Sequence, residues 1–226
     1  MGYLNLAAKR PAWQDISARF SDPRDCLVSF LALEAAEILA GAKPANLISI
    51  ANRERSCGRN LYLLWKQWGQ SVIEESGLEC YELADRGESL LLLIYHPSSL
   101  AELLRRPNVT AILRRAGYPV PAAPEKLLRV LAARFTVESF PHEIGVFLGY
   151  PLKDVLGFLG WARIPFTCQG PWRIYGAAAE SLRLAELHRE CRCRMAGMLS
   201  AGGSPVESFR IGRDGRRLPN CSQKTC

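Results

Sequence analysis

LECYELADRGESLLLLIY, residues 78–95, decides the fold. Its centre, Asp85-Arg86-Gly87, is turn chemistry. On one side Leu78–Leu83 reads as a strand, and on the other Glu88–Tyr95 does, so the stretch predicts a β-hairpin. The run Leu90–Tyr95 has no polar break, which predicts a central strand buried on both faces. Working outward, Asn46–Ile50 (NLISI) is a further short strand and Trp172–Tyr175 (WRIY) a fourth, bracketed by Gly170-Pro171 and Gly176.

The remaining pattern is helical. Asp22-Pro23 is a helix start signal, and Arg24–Leu39 follows it until Gly41. Leu61, Leu64, Trp65 and Trp68 repeat with helical period inside Asn60–Ser76, which Gly77 stops. Ser99–Arg105, Val109–Ala116, Glu125–Thr136 and the long Ala177–Leu199 complete the set. Ile144, Phe147 and Leu148 make one apolar face; after Gly149-Tyr150, Pro151 opens a second short helix carrying Leu152, Val155, Leu156 and Leu159. Residues 141–161 therefore read as a tight helical hairpin. The fold class expected is α/β or α+β: a small mixed sheet of three to four strands, flanked by helices in three layers. The domain assignment is an irregular lead-in over 1–22, one globular domain over 23–200, and a basic, mobile tail over 201–226.

Composition sets the wider limits. The chain has 226 residues, is 48% hydrophobic and 23% charged, and carries 18 glycines and 14 prolines. That excludes collagen-like, low-complexity and disordered classes. No apolar run approaches the roughly 20 residues of a membrane span, and the opening MGYLNLAAKRPAW has no apolar stretch before a cleavage site. A cytoplasmic location with reduced thiols is expected. The net charge is +7, of which residues 201–226 hold +3. A basic stripe can attract nucleic acid, but a solvated tail is the plainer reading.

The stretch Phe140–Phe158, FPHEIGVFLGYPLKDVLGF, resembles the signature of an uncharacterised bacterial family, domain of unknown function 3793. Ala40–Leu47 (AGAKPANL) is similar to that family's glycine turn, Cys168–Gly176 (CQGPWRIYG) to its tryptophan-bearing strand, and Cys191-Arg192 to a pair in its last helix. The resemblance covers about residues 24–195. It departs at Glu34–Leu39 (EAAEIL), where the family often carries His-Cys-Ala-Pro-Thr-Leu. The resemblance implies a metal or redox setting, with a redox or metal-handling protein as partner, and brings no established activity.

Two functional classes compete for the hairpin. In the first, it forms a site for a small anion: His142 and Glu143 begin a short helix whose free N–H groups attract anions, Tyr150 and Asp154 lie within the hairpin, and Lys43 holds the anionic group. His142, Glu143 and Cys191 are the ligands if the occupant is a metal. The zinc-protease pattern fails, because its second histidine falls at Val146. In the second class, the glycine-turned pair of helices is a helix-turn-helix DNA-binding regulator. Its second helix offers mainly Lys153, Asp154, Gly157 and Phe158 to a groove, which is poor equipment for reading bases, so nucleic acid is not the expected partner. An enzyme of unassigned activity is a further alternative; no phosphate-binding loop, dinucleotide fingerprint or nucleophile elbow is present, and no catalytic residue or cofactor is assigned.

Eight cysteines remain to be placed. His188-x-x-Cys191-x-Cys193 has metal-like spacing, yet on a helix Cys193 points away from the other two. A closed zinc site there needs more ligands, which Cys221 and Cys226 supply only if the tail folds back. Cys57, next to Arg59 and just before a helix, is the candidate reactive thiol; a half-buried structural cysteine is the plainer reading.

Overall fold

A computed structural model describes residues 11–136 and 139–210. The hairpin forms as read: β2 (Glu79–Asp85) pairs antiparallel with β3 (Ser89–Tyr95). On the far side of β3 lies β1 (Ala45–Ala51), also antiparallel, with Ile48 opposite Leu92. The order β1-β3-β2 makes the sheet antiparallel throughout, not mixed. The reason is topological: β3 folds back between two strands that run the same way. Successive side chains of β3 point to opposite faces. Leu90, Leu92 and Ile94 enter one apolar core, while Leu93 and Tyr95 enter another. The unbroken run is thus the wall between two cores, and it is buried on both.

The first core is covered by α1 (Pro23–Glu34), α2 (Ala36–Leu39) and α3 (Leu61–Ser76), and the second by α4 (Pro97–Arg105), α5 (Pro107–Arg115), α6 (Pro124–Ala133), α7 (Ile144–Phe147) and α8 (Leu152–Phe158). Their ends follow the signals in the sequence. Asp22 accepts the Asp25 N–H at 2.9 Å, with Pro23 in the first turn, and Asn60 caps α3 through the N–H groups of Tyr62 and Leu63. The helix read as Arg24–Leu39 is interrupted at Ala35, which leaves helical geometry between α1 and α2.

WRIY does not join the sheet. As β5 (Arg173–Tyr175) it pairs with β4 (Phe166–Gln169) in a separate two-stranded ribbon that packs on α8. The contact is close: a Cβ on Gly157 of α8 would lie 2.5 Å from the Tyr175 ring. The long α9 (Ala179–Ser200) then returns across the first core, followed by α10 (Pro205–Arg210).

Both domain boundaries move outward. Trp13, Ile16 and Phe20, in two short 3-10 turns of the lead-in, are buried in the first core, where the Trp13 indole donates to Ser29 Oγ at 3.0 Å. Beyond residue 200, α10 packs on α1, and Phe209 is 2% exposed. The apolar residues in these segments are few, so average composition hides them, but each fills a gap beside α1. The rest of the basic tail, with Cys221 and Cys226, lies outside the described residues. No described helix is long and apolar enough to cross a membrane. Phe209→Ala is expected to cost about 3–5 kcal/mol through lost burial and a cavity. Urea unfolding measures it, and an unchanged midpoint would show that the domain ends before α10.

Candidate functional site

One buried carboxylate organises the hairpin. Asp154, at the start of α8, is 2% exposed. It accepts hydrogen bonds from the Tyr175 backbone N–H at 2.9 Å, Trp172 Nε1 at 2.9 Å, Ser181 Oγ at 2.6 Å and Lys153 Nζ at 2.7 Å. Lys153 also donates to the Tyr175 carbonyl and to Ser181 Oγ, each at 2.8 Å. Burial pushes the Asp154 pKa up, but the bonds from Lys153, Ser181, Tyr175 and Trp172 outweigh it and hold the group below the ordinary carboxylate range. The α8 helix, the β4–β5 ribbon and the first turn of α9 are thereby fastened together. The two polar side chains that α8 would offer to a DNA groove are spent in this cluster.

Glycine geometry brings a second segment to the same place. Gly149 turns the hairpin at φ 72°, and a Cβ there would lie 2.7 Å from Pro44 Cδ. The hairpin therefore rests directly on the turn between α2 and β1. That turn buries Lys43, which is 7% exposed; its ammonium donates to Asn46 Oδ1 at 2.7 Å and lies 5.2 Å from the Tyr150 ring centroid. Asn46 in turn donates to the Glu34 carbonyl at 2.7 Å.

Between the turn, the hairpin, the ribbon and α9 lies a cavity of about 930 Å³. One wall is aromatic: Tyr150 stacks on Trp172 with centroids 4.6 Å apart and planes 19° from parallel, and the His188 ring stands 6.0 Å beyond. Phe140 and Phe158 edge the cavity with half-exposed rings, and His142 sits between them, 5.5 and 5.0 Å away. Glu34, Glu37, Glu186, Arg173 and Arg189 also line it. Glu34 is paired with Arg192, and Glu186 with Arg189.

Of the residues singled out in the sequence, Lys43, His142, Tyr150 and Asp154 line this one cavity. Glu143 does not. It is buried on the other side of the hairpin, where its Oε1 accepts from Arg134 Nη1 at 2.8 Å and from the Tyr118 hydroxyl at 3.1 Å. It clamps the hairpin to the segments that follow α5 and α6, and burial together with the Glu143 charge pushes the Tyr118 pKa well up. The pairing of His142 with Glu143 in one anion site is thus corrected, because adjacent residues at this helix start diverge. Cys191 is fully buried in α9 and does not line the cavity; burial pushes its pKa up. His142, Glu143 and Cys191 are not brought together, and among the described residues no group of three His, Cys, Asp or Glu side chains is placed to hold a metal ion. His188 faces the cavity, whereas Cys193 contacts Arg189. Cys57 lies in the loop before α3, away from the cavity. The sequence reading missed Trp172, Asn46 and Ser181 as parts of the site, and took His188 only for a metal ligand. The tryptophan inside WRIY, flanked by Gly170-Pro171, was the available signal.

The chain matches, over residues 31–207, the family described as Protein of unknown function (DUF3793). It belongs to that family. The matched span holds the whole cavity lining, so the site lies within the DUF3793 domain and not in the flanking segments. Among curated proteins and among solved structures, no match to the chain was found.

For this DUF3793 protein, Asp154→Asn is expected to cost about 3–5 kcal/mol, because it leaves the Lys153 charge without its buried partner. Since the folded pKa of Asp154 is depressed, its contribution is complete above about pH 4 and is lost as the pH falls further. Denaturant titrations of both proteins from neutral pH downward therefore give a gap that narrows in acid. A pH-independent gap would show that Asp154 acts by packing alone.

Proposed function

We propose that the protein binds a small organic anion with a flat conjugated ring in this cavity. The observation that carries the reading is the convergence of the buried Lys43 ammonium with the stacked Tyr150–Trp172 wall in a space of about 930 Å³. Ligand sites are typically clefts of about 300–1,000 Å³ with aromatic walls and a few fixed polar groups. Conjugated rings pack well against such a wall. A cation in low-dielectric surroundings attracts an acidic group more strongly than one in water does. Arg173 adds positive charge to the lining; the carboxylates of Glu34, Glu186 and Asp154 are matched by Arg192, Arg189 and Lys153, and Glu37 is a further carboxylate there.

The setting proposed is the cytosol, which the six described cysteines support by standing as thiols. The metal and helix-turn-helix readings draw no support from the placement of their residues, and no catalytic role is assigned to any side chain.

Calorimetry with aromatic carboxylates and purine nucleoside monophosphates tests the reading. Saturable one-to-one binding is expected, with the uncharged amides of the carboxylates binding more weakly. Lys43→Met should weaken the binding about tenfold or more, equivalent to about 1.4 kcal/mol. Equal affinity in the variant, or a preference for the amides, would contradict the proposal.

A further inference from the structure

We infer that the ligand carries a second acidic group, a carboxylate, and that Arg173 recognises it at the mouth of the cavity. The inference rests on the reading of the cavity as a site for a flat organic anion, and it narrows that class to conjugated rings with two carboxylates. Two cations reach the cavity from different walls. Lys43 is buried and belongs to the turn between α2 and β1, whereas Arg173 is exposed and opens β5. The aromatic wall connects them. The Lys43 ammonium lies 5.2 Å from the Tyr150 centroid, Tyr150 stacks on Trp172 at 4.6 Å, and Arg173 follows Trp172 in the chain. A ring that lies against this wall with one carboxylate on Lys43 has the ribbon beside it, and the ribbon's cation is Arg173.

Arg173 is positioned by an aromatic ring and not by a carboxylate. Its guanidinium stands over Phe166, 5.0 Å from the ring centroid. Phe166 is itself set edge-on against Tyr175, at 5.9 Å and 77°. Tyr175 is fixed in turn by its N–H on Asp154 and by its ring against Gly157. The guanidinium is thus held at one place by packing that runs back to the buried carboxylate, which lowers the cost of ordering it when a ligand arrives. The other two arginines here are paired, Arg189 with Glu186 and Arg192 with Glu34. Among the described residues, none accepts an ion pair or hydrogen bond from the Arg173 guanidinium. A cation–π contact engages the flat face of a guanidinium, and its N–H donors lie in the plane. Those donors match the two oxygens of a carboxylate, a geometry that a lysine ammonium does not offer. Charge on the opposite side gives the direction: Glu37 lines the α2 side, so a second carboxylate turned that way meets like charge.

The test is calorimetry of the full chain with benzoate, with benzene-1,4-dicarboxylate and with the mono-amide of that diacid, which keeps its shape and loses one charge. The dicarboxylate is expected to bind more tightly than the other two. Arg173→Gln should cut its advantage over the mono-amide about fivefold, the upper end for a solvent-facing ion pair, and leave benzoate affinity unchanged. Phe166→Leu should reduce the same advantage with the arginine still in place. Because Arg173 is exposed, the advantage should also shrink with added salt. A dicarboxylate that binds the wild-type chain no better than its mono-amide would overturn the inference, and that comparison needs no variant. An advantage that persists in Arg173→Gln would overturn it too. In either case, benzoate binding that is lost in Lys43→Met keeps the reading of the cavity intact. Failure of all three compounds to bind would overturn both.

Discussion

The site depends on a desolvated carboxylate. Asp154 sits beneath the hairpin with four donors around it, from the backbone of β5, from Trp172, from Ser181 at the start of α9, and from Lys153 beside it. A buried carboxylate with unfilled acceptor sites is costly, so every one of those donors is held to it. The bond to the Trp172 indole has the longest reach. It fixes the ring at the bend just ahead of β5, and so supplies one half of the Tyr150–Trp172 wall. The second half is delivered by the close contact of Gly149 with Pro44, which brings Tyr150 and Lys43 within 5.2 Å of each other.

Around this unit the architecture separates tasks. The β3 strand has a core on each face. The one toward α1 and α3 is the larger and recruits the lead-in and α10. The one toward α4–α8 carries the hairpin, and Glu143 anchors it through Arg134 and Tyr118. The cavity opens where the hairpin meets the turn after α2. Its walls therefore come from parts distant in sequence: residues near 43, near 150, near 172 and near 188.

What was legible in the sequence follows from the range of the forces involved. The hairpin, the central strand and most helix ends rest on local signals, and each was readable from Leu90–Tyr95, Asp85-Arg86-Gly87, Asp22-Pro23 and Gly77. The candidate residues Lys43, His142, Tyr150 and Asp154 could be named because they occupy unusual motifs, and the fold gathers them on one cavity. The role of Trp172 was hidden because it comes from a carboxylate 18 positions earlier in the chain. Glu143 was misplaced for the same reason: its partners are Arg134 and Tyr118, and neither belongs to its motif. Phe209 was missed because a single aromatic among glycines, serines and arginines carries no periodic signal, although burial of one such ring is enough to dock a short helix.

The most direct measurement is a nitrogen–proton correlation spectrum of the indole groups during titration with an aromatic carboxylate. All five tryptophans lie in the described residues, and only Trp172 lines the cavity. A saturable shift of the Trp172 indole resonance, with those of Trp13, Trp65, Trp68 and Trp161 unmoved, is the predicted result. Saturable shifts confined to any of those four, with Trp172 unchanged, would contradict the account.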